Sequence, residues 1–95
     1  MPNANYRSGA RLERLARAQL ERNGFTVVRS AGSKGPVDLV AWDGVCVRLI
    51  QVKSEGGATK ATLARLKALQ RPPGTWVELW ERNPLNGAGW NFTKC

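Results

Sequence analysis

Two helical segments and five short strand-like runs, in the order α-β-β-β-α-β-β, predict an α/β domain: a mixed β-sheet flanked by helices. Three observations carry that prediction. Leu12, Leu15, Ala16 and Leu20 recur at helical spacing. Two runs rich in β-branched residues meet at Asp43-Gly44, a strong short-range hairpin signal. Gly56-Gly57 and Arg71-Pro72-Pro73-Gly74 then fence off a second helical segment before strand-forming residues resume.

Taken in order, residues 1–7 are polar and contain Pro2, which reads as a loose arm. Ser8 is a good helix N-cap, and Asn23-Gly24 supplies the stop, so the first helix is expected to run about four turns between them. Residues 25–29 concentrate aromatic and β-branched side chains and predict a strand, followed by a loop over residues 30–36. Residues 37–42 and 45–53 form the arms of the hairpin. The second helix is expected over residues 59–70 with Leu63, Leu66 and Leu69 inward. Residues 75–81 and 90–93 read as a final pair of strands across the turn-rich stretch 83–87.

The chain has 95 residues, enough for one domain at about 100 to 200 residues each. A domain this small buries only about 60 to 65% of its unfolded surface, so a homo-oligomer is expected. Fifteen Lys and Arg against seven Asp and Glu leave a net charge of +8, a surplus suited to a nucleic-acid partner. No apolar run or signal-peptide core is present, which predicts a cytoplasmic protein without membrane attachment. The two cysteines cannot build a disulfide framework or zinc cluster. Histidine is absent, which excludes His-zinc hydrolases, Ser-His-Asp triads and histidine bases. Catalysis would have to use carboxylates, Lys, Ser or a metal ion on oxygen ligands.

If Asp43-Gly44 is the entire loop, Asp38 faces Leu49, and Asp38, Leu49, Gln51 and Lys53 share one side of the sheet. Asp38 and Gln51 would then be diagonal neighbours, about 7 to 8 Å apart at the backbone, within reach of one cation. A carboxylate, an amide and an ammonium on a hairpin otherwise built of Val37, Leu39, Val47, Leu49, Ile50 and Val52 are expensive unless used. Mg²⁺, a hard cation, would use the two oxygen donors; Mn²⁺ accepts the same ligands. The bland alternative is a set of polar strand ends. On a wheel of about 100° per residue, Glu13 lies at the border of the stripe defined by Leu12, Ala16 and Leu20, where it can lean toward the sheet. Its bland alternative is an exposed acid beside Arg17. Arg7, Arg11 and Arg14 on the first helix, and Arg29, Ser30, Ser33 and Lys34 around the glycine-containing loop, are suited to contacts with DNA phosphates.

The segments Ser8-Gly9-Ala10 to Glu13-Arg14, Asn23-Gly24-Phe25 to Ser30, Gly32-Ser33-Lys34, Pro36-Val37-Asp38-Leu39-Val40-Ala41 and Ile50-Gln51-Val52-Lys53-Ser54 resemble the archaeal-type Holliday junction resolvases (Hjc) of the PD-(D/E)XK nuclease superfamily. The resemblance covers roughly residues 7–55. It implies a restriction-endonuclease-like fold and a metal-dependent, structure-selective endonuclease that acts as a homodimer on branched DNA, the four-way junction. It also implies Glu13, Asp38 and Gln51 as metal ligands, Lys53 as the catalytic lysine, Arg14 and Arg29 as substrate contacts, and Ser30 or Ser33 as a catalytic helper. Gln51 departs from the pattern, standing where the motif has Glu or Asp and removing one negative charge. Two alternatives remain open: a nuclease of the same fold acting on other DNA, as in repair or restriction, and a non-catalytic nucleic-acid-binding module.

Overall fold

The computed structural model describes residues 4–30 and 35–95, with side chains from residue 9 onward. Helix α1 (Ala4–Arg22) precedes β1 (Thr26–Arg29), β2 (Leu39–Trp42) and β3 (Val47–Lys53); helix α2 (Lys60–Lys67) then leads to β4 (Thr75–Arg82) and β5 (Trp90–Lys94). The five strands lie in sequence order in one mixed sheet. Only β3 and β4 run parallel, and α2 is the crossover that parallel neighbours require. The expected order of elements is therefore the observed one. No described helix is long and apolar enough to cross a membrane.

Most boundaries fall within two residues of expectation, and three differences bear on the framework of the site. Helix α1 starts at Ala4, so residues 4–7, expected in a loose arm, are helical, and Ser8 lies inside the helix rather than capping it. The Ser8-Gly9 pair is too weak to set a boundary, because one interior Gly costs only about 1 kcal/mol relative to Ala. At the other end the stop is as expected. Gly24 takes φ 90°, and Phe25 N and Gly24 N donate to Leu20 O and Glu21 O, the pairing of a Schellman cap. Helix α2 is capped by Thr59, whose side chain accepts from Thr62 N, but ends at Lys67, ahead of the expected residue 70, as the chain straightens toward Pro72-Pro73.

The third difference is the hairpin. Trp42 pairs with Val47 and Leu39 with Ile50, so the turn spans residues 43–46 and not Asp43-Gly44 alone. Asp43 is the reason: its Oδ1 accepts from Val45 N at 2.8 Å and Cys46 N at 3.0 Å, drawing two more residues into the turn. The correction shifts the register by two, which moves partners without turning side chains to the other face. Asp38 therefore comes opposite Gln51 rather than Leu49.

Each helix covers part of one sheet face. Under α1, Ala16 and Leu20 pack on Val27, Leu39, Ala41, Ile50, Val52, Trp80 and Trp90. Under α2, Leu66 packs on Val77 and Leu79, with Leu49, Leu63 and Leu69 around them. Beyond the end of α1, Arg48 of β3 bonds Glu78 of β4 through both Nε (2.7 Å) and Nη2 (2.6 Å), while Trp80 Nε1 donates to the same carboxylate at 3.0 Å. The guanidinium also lies 5.0 Å from the Phe25 ring centroid. Burial pushes the Glu78 carboxyl up, but the donors from Arg48 and Trp80 outweigh it and hold it below the ordinary carboxylate range.

Arg48→Ala strands a buried carboxylate and should lower the unfolding free energy by about 3 to 5 kcal/mol at pH 7, measured as a fall in the urea midpoint. Because the folded-state pKa of Glu78 is depressed, the stability it confers is full above the ordinary carboxylate pKa and lost as pH falls through the depressed one. The penalty should shrink over that acid window.

Candidate active site

The site lies where β2 begins and β3 ends. The ladder that pairs Leu39 with Ile50 continues through a bond from Asp38 N to Ile50 O at 2.8 Å, so Asp38 is fixed just ahead of β2. Its Oδ2 accepts from Val52 N at 2.9 Å and from Gln51 Nε2 at 2.7 Å. Asp38 is buried, at 7% exposure. Ser30 is tied to the same point from the other side, its N donating to Asp38 O at 2.8 Å.

Glu13 reaches this point from α1. It is also only 7% exposed, one turn of helix before the fully buried Ala16, so the border position expected from the helical wheel lies on the inner side. Arg29, the last residue of β1, donates from Nε to Glu13 Oε1 at 2.5 Å. Burial is the largest influence on Asp38 and raises its carboxyl above the ordinary range; the Val52 N–H opposes this, the Glu13 charge adds to it, and Lys53 and Arg29 oppose it. The charges of Glu13, Lys53 and Arg29 thus lie near enough to Asp38 to bear on its ionisation. Lys53 is half-buried and makes no ion pair among the described residues.

The structure thus gathers Glu13, Asp38, Gln51, Lys53, Arg29 and the backbone of Ser30. Among the described residues, two other candidates lie away from that point. Arg11 and Arg14 are exposed on α1, and Arg14 Nε turns back to Ala10 O at 3.4 Å. Ser33, Lys34 and the side chain of Arg7 lie outside the described residues. Sequence reasoning passed over Glu81, which stands beside Lys53 in the parallel register and accepts from Ala58 N at 3.2 Å, pinning the loop after β3. Nothing local in the sequence signals that contact, because it depends on the β3–β4 register. The Arg29–Glu13 pair likewise needs two elements to be docked first.

The donor set suits a hard divalent cation. Two buried carboxylates in mutual repulsion, one with its pKa raised, form the kind of site that such a cation relieves. Gln51 can offer Oε1 by turning its amide over, at the expense of its bond to Asp38. No third Asp, Glu, His or Cys completes a ligand group among the described residues, so the third donor would be this amide.

The fold is similar to that of the Holliday junction resolvase Hjc of Archaeoglobus fulgidus, with a TM-score of 0.72 and 25% identity over 92% of this chain and 72% of that one. This defines the class of molecule: a five-stranded mixed sheet of the resolvase type with a carboxylate-lysine cluster at one end. A 36-residue stretch is 58% identical to the crossover junction endodeoxyribonuclease Hjc of Methanocaldococcus jannaschii, covering 38% of this chain and 26% of that protein. The family model for the archaeal Holliday junction resolvase (Hjc) matches residues 4–68, and the chain belongs to that family. The resemblance read from the sequence is borne out.

Because burial raises the Asp38 pKa, the unfolded chain ionises at this position before the folded one does, and stability falls as pH rises from the ordinary 3.8 through the raised value. Asp38→Asn keeps an oxygen for both Val52 N and Gln51 Nε2. In chelator it should therefore unfold at a higher temperature than the parent at pH 7, with the gap closing toward pH 4, as followed by circular dichroism.

Proposed function

We propose that the chain is a divalent-metal-dependent endodeoxyribonuclease that resolves four-way DNA junctions by paired phosphodiester hydrolysis, with Mg²⁺ as the working cation and Mn²⁺ as a substitute. The observation that carries this reading is the meeting of Glu13, Asp38, Gln51 and Lys53 at the end of β3 in a chain of the Hjc family. Glu13, Asp38 and Gln51 would hold the cation. When bound, it polarises the scissile phosphate and lowers the pKa of an attacking water. Lys53, with no ion pair among the described residues, supplies a cation for charge developing on the phosphate oxygens. Ser30, held by its backbone against Asp38, or Ser33 assists at the phosphate. Arg7, Arg11, Arg14, Arg29 and Lys34 track the DNA backbone, and a cytoplasmic location follows from the substrate.

Two cuts need two sites, so the working form is a homodimer. We place its interface on α2 and the Trp-bearing C-terminal strands, with the sheet face beside α2 adding support on the helix side. Val28, Val40 and Leu49 stand in one cross-strand row and Trp42 and Val47 in the next, and Val28 and Trp42 are 48% and 37% exposed. Apolar side chains left open in this way favour association.

The absence of a third carboxylate among the described residues favours one other reading, a nucleic-acid-binding module of this fold without catalysis. Calorimetric titration with Mg²⁺ separates the two: no metal uptake even with junction DNA present would select the module. Purified protein with Mg²⁺ should place paired nicks in a synthetic four-way junction and leave its linear duplex arms intact. Asp38→Ala and Lys53→Ala should each slow nicking by about 100-fold or more. Equal cutting of the linear arms would reassign the protein to another DNA substrate, and undiminished cutting by either variant would remove the basis of the proposal.

A further inference from the structure

The loop joining β4 to β5 is tied down along its length and has no part in the proposed chemistry. Residues 83–89 carry no charge, and the loop closes on itself: Asn83 N donates to Gly89 O at 3.0 Å, and Gly89 N to Asn86 O at 2.8 Å. Both asparagine amides work inside it. Asn83 Oδ1 accepts from Leu85 N and Asn86 Oδ1 from Ala88 N, each at 3.2 Å, while Asn83 Nδ2 donates to Asn91 Oδ1 at 3.1 Å and Asn86 Nδ2 to Trp90 O at 2.7 Å. At the base, Arg82 lies 5.2 Å from the Trp90 ring centroid and donates from Nη1 to Gly89 O at 3.0 Å. Gly89 is needed for this, because its φ is 83° and a Cβ there would stand 2.6 Å from Arg82 Nη1.

What this frame holds outward is Leu85, 94% exposed, just after Pro84, whose ring fixes its own φ. The place matters as much as the exposure. Strand β4 runs parallel to β3 and ends at the same side of the sheet, with Glu81 beside Lys53. The loop therefore rises from the strand next to the lysine, about 4.8 Å away by strand spacing, and DNA with a phosphate at Lys53 lies across it. With no cation to meet phosphate and both amides engaged inward, the loop is suited to contact with base faces and not with the backbone. In a linear duplex those faces are stacked on one another. A branch point, where stacking is interrupted, offers them.

We propose that Leu85 is an apolar wedge that packs against unstacked bases at the branch point of DNA, which makes the β4–β5 loop a determinant of branched over linear substrates. The inference rests on the nuclease reading above for the substrate, and it adds a specificity residue outside the cluster at the end of β3. Proteins that kink or open DNA use leucine in this way, exchanging base stacking for contact with an apolar side chain. Two consequences follow. Stacking at the branch is disturbed in the complex, with or without a metal ion. Loss of the leucine weakens binding to the junction and spares binding to linear duplex, which comes from phosphate contacts.

The test reads binding and base stacking with chelator present, so that no strand is cut. A four-way junction carrying 2-aminopurine beside the branch point brightens when that base unstacks, and fluorescence anisotropy of a labelled junction and a labelled duplex gives the affinities. The parent should brighten the junction probe. Leu85→Ser should abolish most of that signal and weaken junction binding about tenfold, the order expected when an apolar side chain of this size is no longer buried, with duplex binding unchanged. Leu85→Met should retain both properties. Val45→Ser makes the same kind of change in the turn before β3, at the opposite end of that strand, on a residue 89% exposed, and should match the parent. A parent complex with no brightening overturns the proposal, a result that needs no variant. So does a Leu85→Ser protein that brightens and binds like the parent, one that loses junction and duplex affinity equally, or one that sediments as a smaller species than the parent, which would assign Leu85 to a protein interface. Leucine-dependent unstacking in a protein that cuts no junction with Mg²⁺ would sink the nuclease reading and leave this one standing; junction-selective cutting by Leu85→Ser at the parental rate would do the reverse.

Discussion

The pairing of β2 with β3 is the constraint on which the site depends. Leu39 opposite Ile50 places Asp38 against Gln51, and the Val52 N–H then has Asp38 Oδ2 as its acceptor at 2.9 Å. A carboxylate thus replaces a carbonyl at the end of a sheet ladder. The arrangement locks the Asp38 side chain by its own strand partner, with no long side chain to order, and fixes it where burial raises its pKa. Every other group at the site is positioned relative to that anchor: Gln51 by the same bond set, Lys53 two residues further along β3, Glu13 by the docking of α1 on Ile50 and Val52, and Ser30 through its backbone bond to Asp38 O.

The two buried ion pairs show how similar chemistry serves different ends. Arg48 and Glu78 are surrounded by Phe25 and Trp80, and the carboxylate receives three donors. Such a pair is closed: each partner satisfies the other, and breaking it exposes an uncompensated charge to an apolar neighbourhood. Arg29 and Glu13 sit at the edge of the sheet, with Glu13 buried and Arg29 partly in solvent. The first pair braces β3 against β4, and the second joins α1 to β1 beside the site.

Much of this was legible in the sequence because it rests on local signals. The order of elements follows from apolar periodicity and from Gly and Pro punctuation, and the α1 stop follows from Asn23-Gly24, whose positive φ only a glycine adopts readily. The face shared by Gln51 and Lys53 follows from strand alternation alone, and it survived a wrong register because the error was two residues and not one. What escaped was of two kinds. The turn at 43–46 depends on which backbone N–H groups the Asp43 carboxylate captures, a local choice between similar geometries. Arg48 with Glu78, Arg29 with Glu13, and Glu81 beside Lys53 depend on sheet register and helix docking, which no spacing along the chain encodes.

The placement of the site also connects its chemistry to the sheet's topology. In open sheets with parallel strands, ligands bind beyond the carboxyl ends of those strands, and β3, one of the two parallel strands here, ends at Lys53. Gln51 and Lys53 point to the side of the sheet that carries α2, the same side on which Val28, Trp42 and Val47 remain open. The net charge of +8 acts over distance to attract a polyanion, while the side chains gathered at the end of β3 act only at contact range, so that long-range attraction and short-range contact fall to different groups in a domain of this size.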